Sequence, residues 1–309
     1  MAFDAFLRRR ILSMTGQPRV RSWFEQHGEL LGVSRFVAGA TLDAAVAPVQ
    51  ALNRQGLSAT LDLLGEHVYE TELAQTSAEH IIAALRAITA HRLDSHVSVK
   101  LTQLGLCMDF GYCLQLMRGI CREAKSQGHF IRIDMEDSGV TELTVRLFRK
   151  LLEEFGPETI GLVVQSCLYR SLADVRDLGR LGVNLRIVKG AYKETAEVAY
   201  TRRKAIETSY LKLARLHMES GGYTAIATHD RRMIEPLQAF AADAGIARER
   251  FEFQLLYGAA TRLQQELVEA GYRVRIYTPF GDRWYPYFTR RIAERPANLM
   301  LALKAVFGK

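Results

Sequence analysis

Ile160-Gly-Leu-Val-Val-Gln165 is a short apolar run that closes on an amide. It shows no polar alternation, so it suits a strand covered on both faces, as in a parallel sheet. Similar runs recur at Ala59–Leu64, Val97–Leu101, Phe130–Asp134, Asn184–Lys189, Tyr223–His229, Phe251–Leu256 and Arg273–Tyr277, making eight in all. Helical spacing fills the intervals, for example at Ser77–Leu93, Thr141–Glu154, Glu197–Met218 and Arg231–Ala244. The runs start about 31 residues apart on average, which is the length of one βαβ unit. Eight such units occupy roughly 250 residues and predict an α/β fold, a (β/α)8 TIM barrel, over 58–309. An open doubly wound sheet competes, but its nucleotide-binding forms carry a glycine-rich first turn. Neither G-x-G-x-x-G nor G-x-x-x-x-G-K-[ST] occurs here. Residues 1–57 read as N-terminal helices packed on the barrel, broken at Pro18 and Pro48, and not as a separate domain.

Composition narrows the class further. With 48% hydrophobic and 24% charged residues, the 309-residue chain is an ordinary globular protein. No stretch approaches the ~18 uninterrupted apolar residues of a membrane span. The net charge of +7 is spread along the sequence, a weak sign of nucleic acid or lipid binding. Cys107, Cys113, Cys121 and Cys167 form no C-x-x-C pair, which fits a reduced, cytoplasmic setting. Ala2–Met14, with Arg8, Arg9 and Arg10, lacks the apolar region of an export signal and reads as a short docking helix.

Parallel barrels build their active sites at the carboxyl ends of the strands. Seven of the eight runs place a polar group there. These are Lys100, Asp134 followed by Glu136, Gln165, Arg186 with Lys189, Thr228-His229, Gln254 with Tyr257, and Tyr277. Any one of them alone is more often a solvated exit residue. Repetition at the same end points to one polar pocket, because each would cost several kcal/mol if buried without a partner.

The segment after the eighth run reads Asp282-Arg-Trp-Tyr-Pro-Tyr287-Phe-Thr-Arg290-Arg291-Ile-Ala-Glu294. Tyr287, Arg290, Arg291 and Glu294 stand at i, i+3, i+4 and i+7, one helical face. A surface Arg290–Glu294 pair is the bland explanation. Against it stands Tyr287 on the same stripe. Paired guanidiniums match a carboxylate bidentately, and tyrosine faces suit a small apolar ring. The implied ligand is an amino acid.

Val97-Ser-Val-Lys100, Ile131-Arg-Ile-Asp134, Leu185-Arg-Ile-Val-Lys-Gly-Ala-Tyr192, Ala227-Thr-His229, Phe253-Gln-Leu-Leu-Tyr-Gly258 and Tyr287-Phe-Thr-Arg-Arg-Ile-Ala-Glu294 together resemble the proline dehydrogenases, above all the short monofunctional bacterial type. The resemblance runs from about residue 57 to the end. It implies a distorted barrel whose last helix lies over the mouth. It also implies FAD-dependent oxidation of L-proline to Δ1-pyrroline-5-carboxylate by hydride transfer to flavin N5. Electrons would then pass to ubiquinone or menaquinone through a peripheral membrane contact. A separate pyrroline-5-carboxylate dehydrogenase would take the product, and no nucleic acid is involved. Carried over by motif, Lys100, Arg290 and Arg291 hold the proline carboxylate, Glu294 ion-pairs within that cluster, and Asp134 sits beside Lys100 and Tyr277. Tyr192, Leu255, Tyr277 and Tyr287 wall the ring. Gln165, Arg186, Lys189, Gly190, Ala191, Thr228 and His229 contact FAD, with Arg186 and Lys189 supplying part of the phosphate neutralisation and a positive group such as Arg186 near N1–N5 favouring the reduced flavin. No histidine lies on the stripe, and the residues name no general base.

Two other classes fit parts of the sequence. A Schiff-base aldolase on the same fold would use Lys100 or Lys189 as nucleophile. A basic membrane- or nucleic-acid-binding domain would draw on the net charge and on Arg8–Arg10, yet the charges gather on no one face.

Overall fold

Strands buried on both faces need helices outside and close-packed side chains within, and a closed barrel supplies both. The computed structural model describes Phe24, His27, Gly28 and residues 32–294, with the side chains of 292–294 left out. Eight parallel strands close in sequence order: β1 (Ser58–Leu63), β2 (Ser95–Val99), β3 (Ile131–Ile133), β4 (Ile160–Gln165), β5 (Leu185–Val188), β6 (Thr224–Ala227), β7 (Phe251–Leu256) and β8 (Val274–Phe280). Helix α1 (Leu42–Arg54) precedes them. Helices α2 (Thr71–Ala90), α3 (Phe110–Ser126), α4 (Ser138–Phe155), α5 (Ser171–Gly179), α6 (Arg203–Glu219), α7 (Arg231–Asp243) and α8 (Thr261–Glu269) follow β1 to β7 in turn. Helix α9 (Tyr285–Glu294) follows β8.

Each outer helix buries one stripe. On α4 it is Val140, Thr144, Leu147, Phe148, Leu151 and Phe155, spaced three and four apart. Asp109 and Asp137 accept backbone N–H bonds at the starts of α3 and α4, which satisfies donors the helix cannot.

Two expectations need correction. Pro48 lies inside α1 and does not break it. Proline forfeits one helical hydrogen bond, but Ala45, Val46, Val49 and Leu52 are buried on the same helix and hold it against the barrel. The eighth strand continues past Tyr277 to Phe280, because β1 pairs with it in register from Ser58↔Arg275 to Leu63↔Phe280. Of the N-terminal segment 1–57, Phe24, His27, Gly28 and residues 32–57 are described, with a 3-10 turn at Val33–Arg35 ahead of α1; Arg8–Arg10 and Pro18 lie outside the described residues.

Inside the barrel, side chains two apart on a strand share the inward face. Near the amino ends they form a polar floor. Arg132 is 1% exposed and donates to the Leu162 and Asn184 carbonyls at 3.2 and 2.7 Å. Gly161 leaves room for it, since a Cβ there would lie 2.6 Å from Arg132 Nη1 and 2.4 Å from Asn184 O. Arg275 Nε donates to both Glu252 oxygens at 3.1 Å, and its Nη1 reaches the Ala59 carbonyl at 2.7 Å.

Helix α9 has a small core of its own. Phe288 packs with Val33, Phe36, Val37, Leu64 and Tyr287, apart from the main barrel core. The chain from Val33 to Gly39 is tied to the end of β8: Ala38 N donates to Pro279 O at 2.8 Å and Gly281 N to Gly39 O at 2.9 Å. This strap seats α9 at the carboxyl end of the barrel.

Candidate active site

Ladder hydrogen bonds continue one step beyond several strands and so fix the residues at the mouth. Asp134 N donates to Val99 O at 2.9 Å, Thr228 N to Gln254 O at 3.1 Å and Ser166 N to Val188 O at 2.8 Å. One cavity of about 1300 Å³ opens there. Of the residues the sequence singled out, Glu136 and Tyr257 do not line it, Glu136 being turned onto Thr102 instead, and the Glu294 side chain lies outside the described residues; the rest are on its wall. Lys100, Asp134, Gln165, Arg186, Lys189, Gly190, Ala191 and Tyr192 come from the ends of β2 to β5. Thr228, His229, Leu255 and Tyr277 come from β6 to β8, and Tyr287, Arg290 and Arg291 from α9.

At the deep end a charge network ties five strands together. Lys100 Nζ lies 2.8 and 2.9 Å from the two Asp62 oxygens, 3.2 Å from the Tyr277 hydroxyl and 3.5 Å from Asp134. The Tyr277 hydroxyl donates to Asp134 at 3.0 Å, and Arg186 reaches Asp134 at 2.8 Å and Ser98 at 3.2 Å. Burial alone would lower the Lys100 pKa, but Asp62, Tyr277 and Asp134 hold it well above the ordinary lysine value. Burial, with Asp134 and Asp62 nearby, pushes the Tyr277 phenol well up.

The outer rim carries the arginine pair. Arg290 binds Glu66 through Nη2 at 2.7 Å and Nη1 at 3.4 Å. Burial would lower its pKa, and Glu66 more than offsets that. The Arg291 guanidinium lies 5.1 Å from the Tyr287 ring centroid, one helical turn back. Tyr192 is pushed up by burial and by the Glu66 and Glu136 charges.

On the far flank Lys189 bonds Asp230 at 3.1 Å and Glu207 at 3.5 Å, with Arg203, Arg231 and Arg232 also on the cavity wall. Hydrogen bonds from Arg232, assisted by Lys189, hold the Asp230 carboxyl well down. His229 Nε2 accepts from Leu256 N at 2.9 Å, so this ring's position is fixed by the β7 backbone. Gly190 adopts φ +111°, and a Cβ there would sit 2.3 Å from Cys167 Sγ. Only glycine fits that turn.

Arg186 sits 4% exposed inside the barrel on Asp134 and Ser98, while Lys189 lies on the basic flank. Reading strand ends alone passed over Asp62 and Glu66. Asp62 lies within β1, and Glu66 follows its end at the same level as the other mouth residues. The acidic residues Glu207 and Asp230 and the arginines of the flank were missed because they begin helices instead of ending strands.

The fold and mouth define a (β/α)8 barrel protein whose cavity joins Lys100, Arg290 and Arg291, an aromatic wall and a cationic flank. A family model described as proline dehydrogenase matches residues 45–301. Proline dehydrogenase 1 of Bacillus subtilis strain 168 is 41% identical over 303 residues, covering 98% of this chain and all of that one. Proline dehydrogenase of Deinococcus radiodurans is 41% identical over 306 residues, covering 98% of each. Among solved structures, proline utilization A from Bdellovibrio bacteriovorus, inactivated by N-propargylglycine, superposes with a TM-score of 0.79 at 26% identity. That match covers 85% of this chain and 32% of the longer one. The chain belongs to the proline dehydrogenase family.

Proposed function

We propose that the protein oxidises L-proline to Δ1-pyrroline-5-carboxylate with bound FAD, and that its electrons pass to ubiquinone or menaquinone at a membrane surface. The product would go to a separate pyrroline-5-carboxylate dehydrogenase. The observation that carries this reading is the convergence of Lys100, Arg290 and Arg291 with Tyr192, Leu255, Tyr277 and Tyr287 on one cavity. Three cations suit a carboxylate, and the aromatic and aliphatic faces suit a pyrrolidine ring.

The cavity fits a flavin dinucleotide as well as an amino acid. At about 1300 Å³ it exceeds the ~300–1,000 Å³ of most small-molecule pockets. Arg186 Nε is buried without a protein partner, a donor left for a ligand. Lys189, Arg203, Arg231 and Arg232 offer charge for the pyrophosphate. FAD, when bound, would supply the hydride acceptor, at N5. Arg186 would set the local charge beside the ring, and Gln165, Gly190, Ala191, Thr228 and His229 would hold it. Arg290, Arg291 and Lys100 orient the substrate by its carboxylate while Tyr277 and Tyr287 press on the ring and exclude water. Positioning is the main work asked of the protein.

Lys100 is held as a cation by its neighbours, which opposes the aldolase alternative, since a Schiff-base lysine must be neutral to attack. Purified protein should be yellow, and proline should bleach it in the absence of oxygen. A colourless protein, or a yellow one whose spectrum proline leaves unchanged, would overturn the reading.

A further inference from the structure

Asp62 contributes nothing to the cavity surface, yet it holds the residue at the cavity's deepest charge. Its carboxylate is 1% exposed and lies against the Lys100 ammonium with both oxygens, at 2.8 and 2.9 Å. An ammonium has three N–H donors and no acceptor. The third contact, 3.2 Å to the Tyr277 hydroxyl, is on the cavity side, where Lys100 and Tyr277 are both exposed to a ligand. Asp62 is itself locked in β1, paired in register with Ser98 of β2 and Pro279 of β8.

We propose that Asp62 is a positioning residue of the carboxylate site: it fixes the Lys100 ammonium in place and in charge, so that Lys100 meets substrate as a permanent cation and takes no proton from it. The inference rests on the proline reading above. Its chemical consequence concerns the substrate amine. A secondary ammonium must become a secondary amine before its C–N bond is oxidised, and its proton then leaves by a route that does not include Lys100.

The groups facing Lys100 come from every element packed on it. Asp62 lies on β1, Asp134 after β3 and Tyr277 on β8. Tyr192 after β5 and Glu136 after β3 are close enough to feel its charge. Arg186 on β5 is the other cation of the network, 5.5 Å from the Tyr277 ring. Removing the Asp62 charge leaves Asp134, at 3.5 Å, as the one carboxylate among the described residues in contact with the buried ammonium. With less opposing charge, burial would draw the lysine pKa down.

The test uses the flavin-loaded protein and tetrahydrofuran-2-carboxylate, a five-membered ring acid without an amine, whose charge is constant above pH 5. Calorimetry between pH 7.5 and 9.5 should give a flat affinity for the wild type. Asp62→Asn should lose affinity tenfold or more as pH rises through that window, with its flavin retained. A variant profile that overlays the wild type would overturn the proposal. A thermal-melting cycle gives a second reading that needs no ligand. Lys100→Met strands the Asp62 carboxylate and should melt well below the wild type, whereas Lys100→Met with Asp62→Asn should recover part of that loss. Melting shifts that simply add would overturn the pairing. Failure of the wild type to bind the ring acid counts instead against the proline reading.

Discussion

The barrel holds two buried charge clusters, one at its floor and one at its mouth, and they end differently. At the floor, Arg132 terminates on the Leu162 and Asn184 carbonyls, and Arg275 on Glu252 and the Ala59 carbonyl. At the mouth, Lys100, Arg186 and Arg290 are held by Asp62, Asp134 and Glu66 but keep a face on a cavity. Gln254 bridges the two, lining the mouth while donating to Glu252 below at 2.5 Å. Charges that finish on backbone hold the barrel shut. Charges that finish on open space are available to a ligand.

The largest effect expected from this contrast is at the floor. Glu252→Ala strands Arg275, and breaking such a buried pair costs about 3–5 kcal/mol. Denaturant unfolding should show that loss, while the folded fraction keeps its affinity for proline. A variant of wild-type stability that no longer binds proline would break the division between the clusters.

Next comes acid. His217 on α6 is fully buried, and its Nδ1 lies 2.7 Å from Thr224 Oγ1 at the start of β6. Burial holds its pKa down to about 4, against roughly 6.5 when unfolded. A depressed imidazole makes the folded state the weaker proton binder, so its stability is intact above pH 6.5 and falls as pH drops toward 4. The full loss approaches about 3 kcal/mol. His217→Gln should flatten the fall of the melting temperature over that window, and an unchanged slope would refute the assignment.

At the mouth, Arg290→Lys or Arg291→Lys replaces a forked donor with a point charge. The expected rise in KM for proline is about tenfold to a hundredfold, on the order of 1–3 kcal/mol, with little loss of flavin. An unaltered KM would remove that arginine from the carboxylate site. The smallest effect belongs to the outer surface. Arg118→Ala breaks the exposed bond to Glu154 and should change neither melting nor kinetics measurably.

The same contrast explains what the sequence could reveal. The barrel was legible because eight doubly buried runs recur at one βαβ length. The mouth was legible because polar groups repeat at one end of those runs, and α9 because Tyr287, Arg290 and Arg291 share a helical face. Arg132, Glu252 and Arg275 were not legible as a floor: each sits within a strand, and strand alternation says which face it shares, not what meets it there. Asp62 was hidden for the same reason. A carboxylate two residues before the end of an apolar run is the signal that would have found it. Glu66 pairs with Arg290 across 224 positions of chain, a partnership that only the closing of β1 against β8 creates.

Gly258, at φ +67°, leaves so little space that a Cβ would lie 1.7 Å from the Arg35 carbonyl oxygen. The turn leaving β7 is thereby keyed to the segment that also carries Phe36 and braces Phe288. An engineer seeking to admit a bulkier acid would therefore treat Val33–Gly39, Gly258 and Trp284–Phe288 as one exchangeable cassette, transplanted whole, with the stave-work of the barrel left untouched.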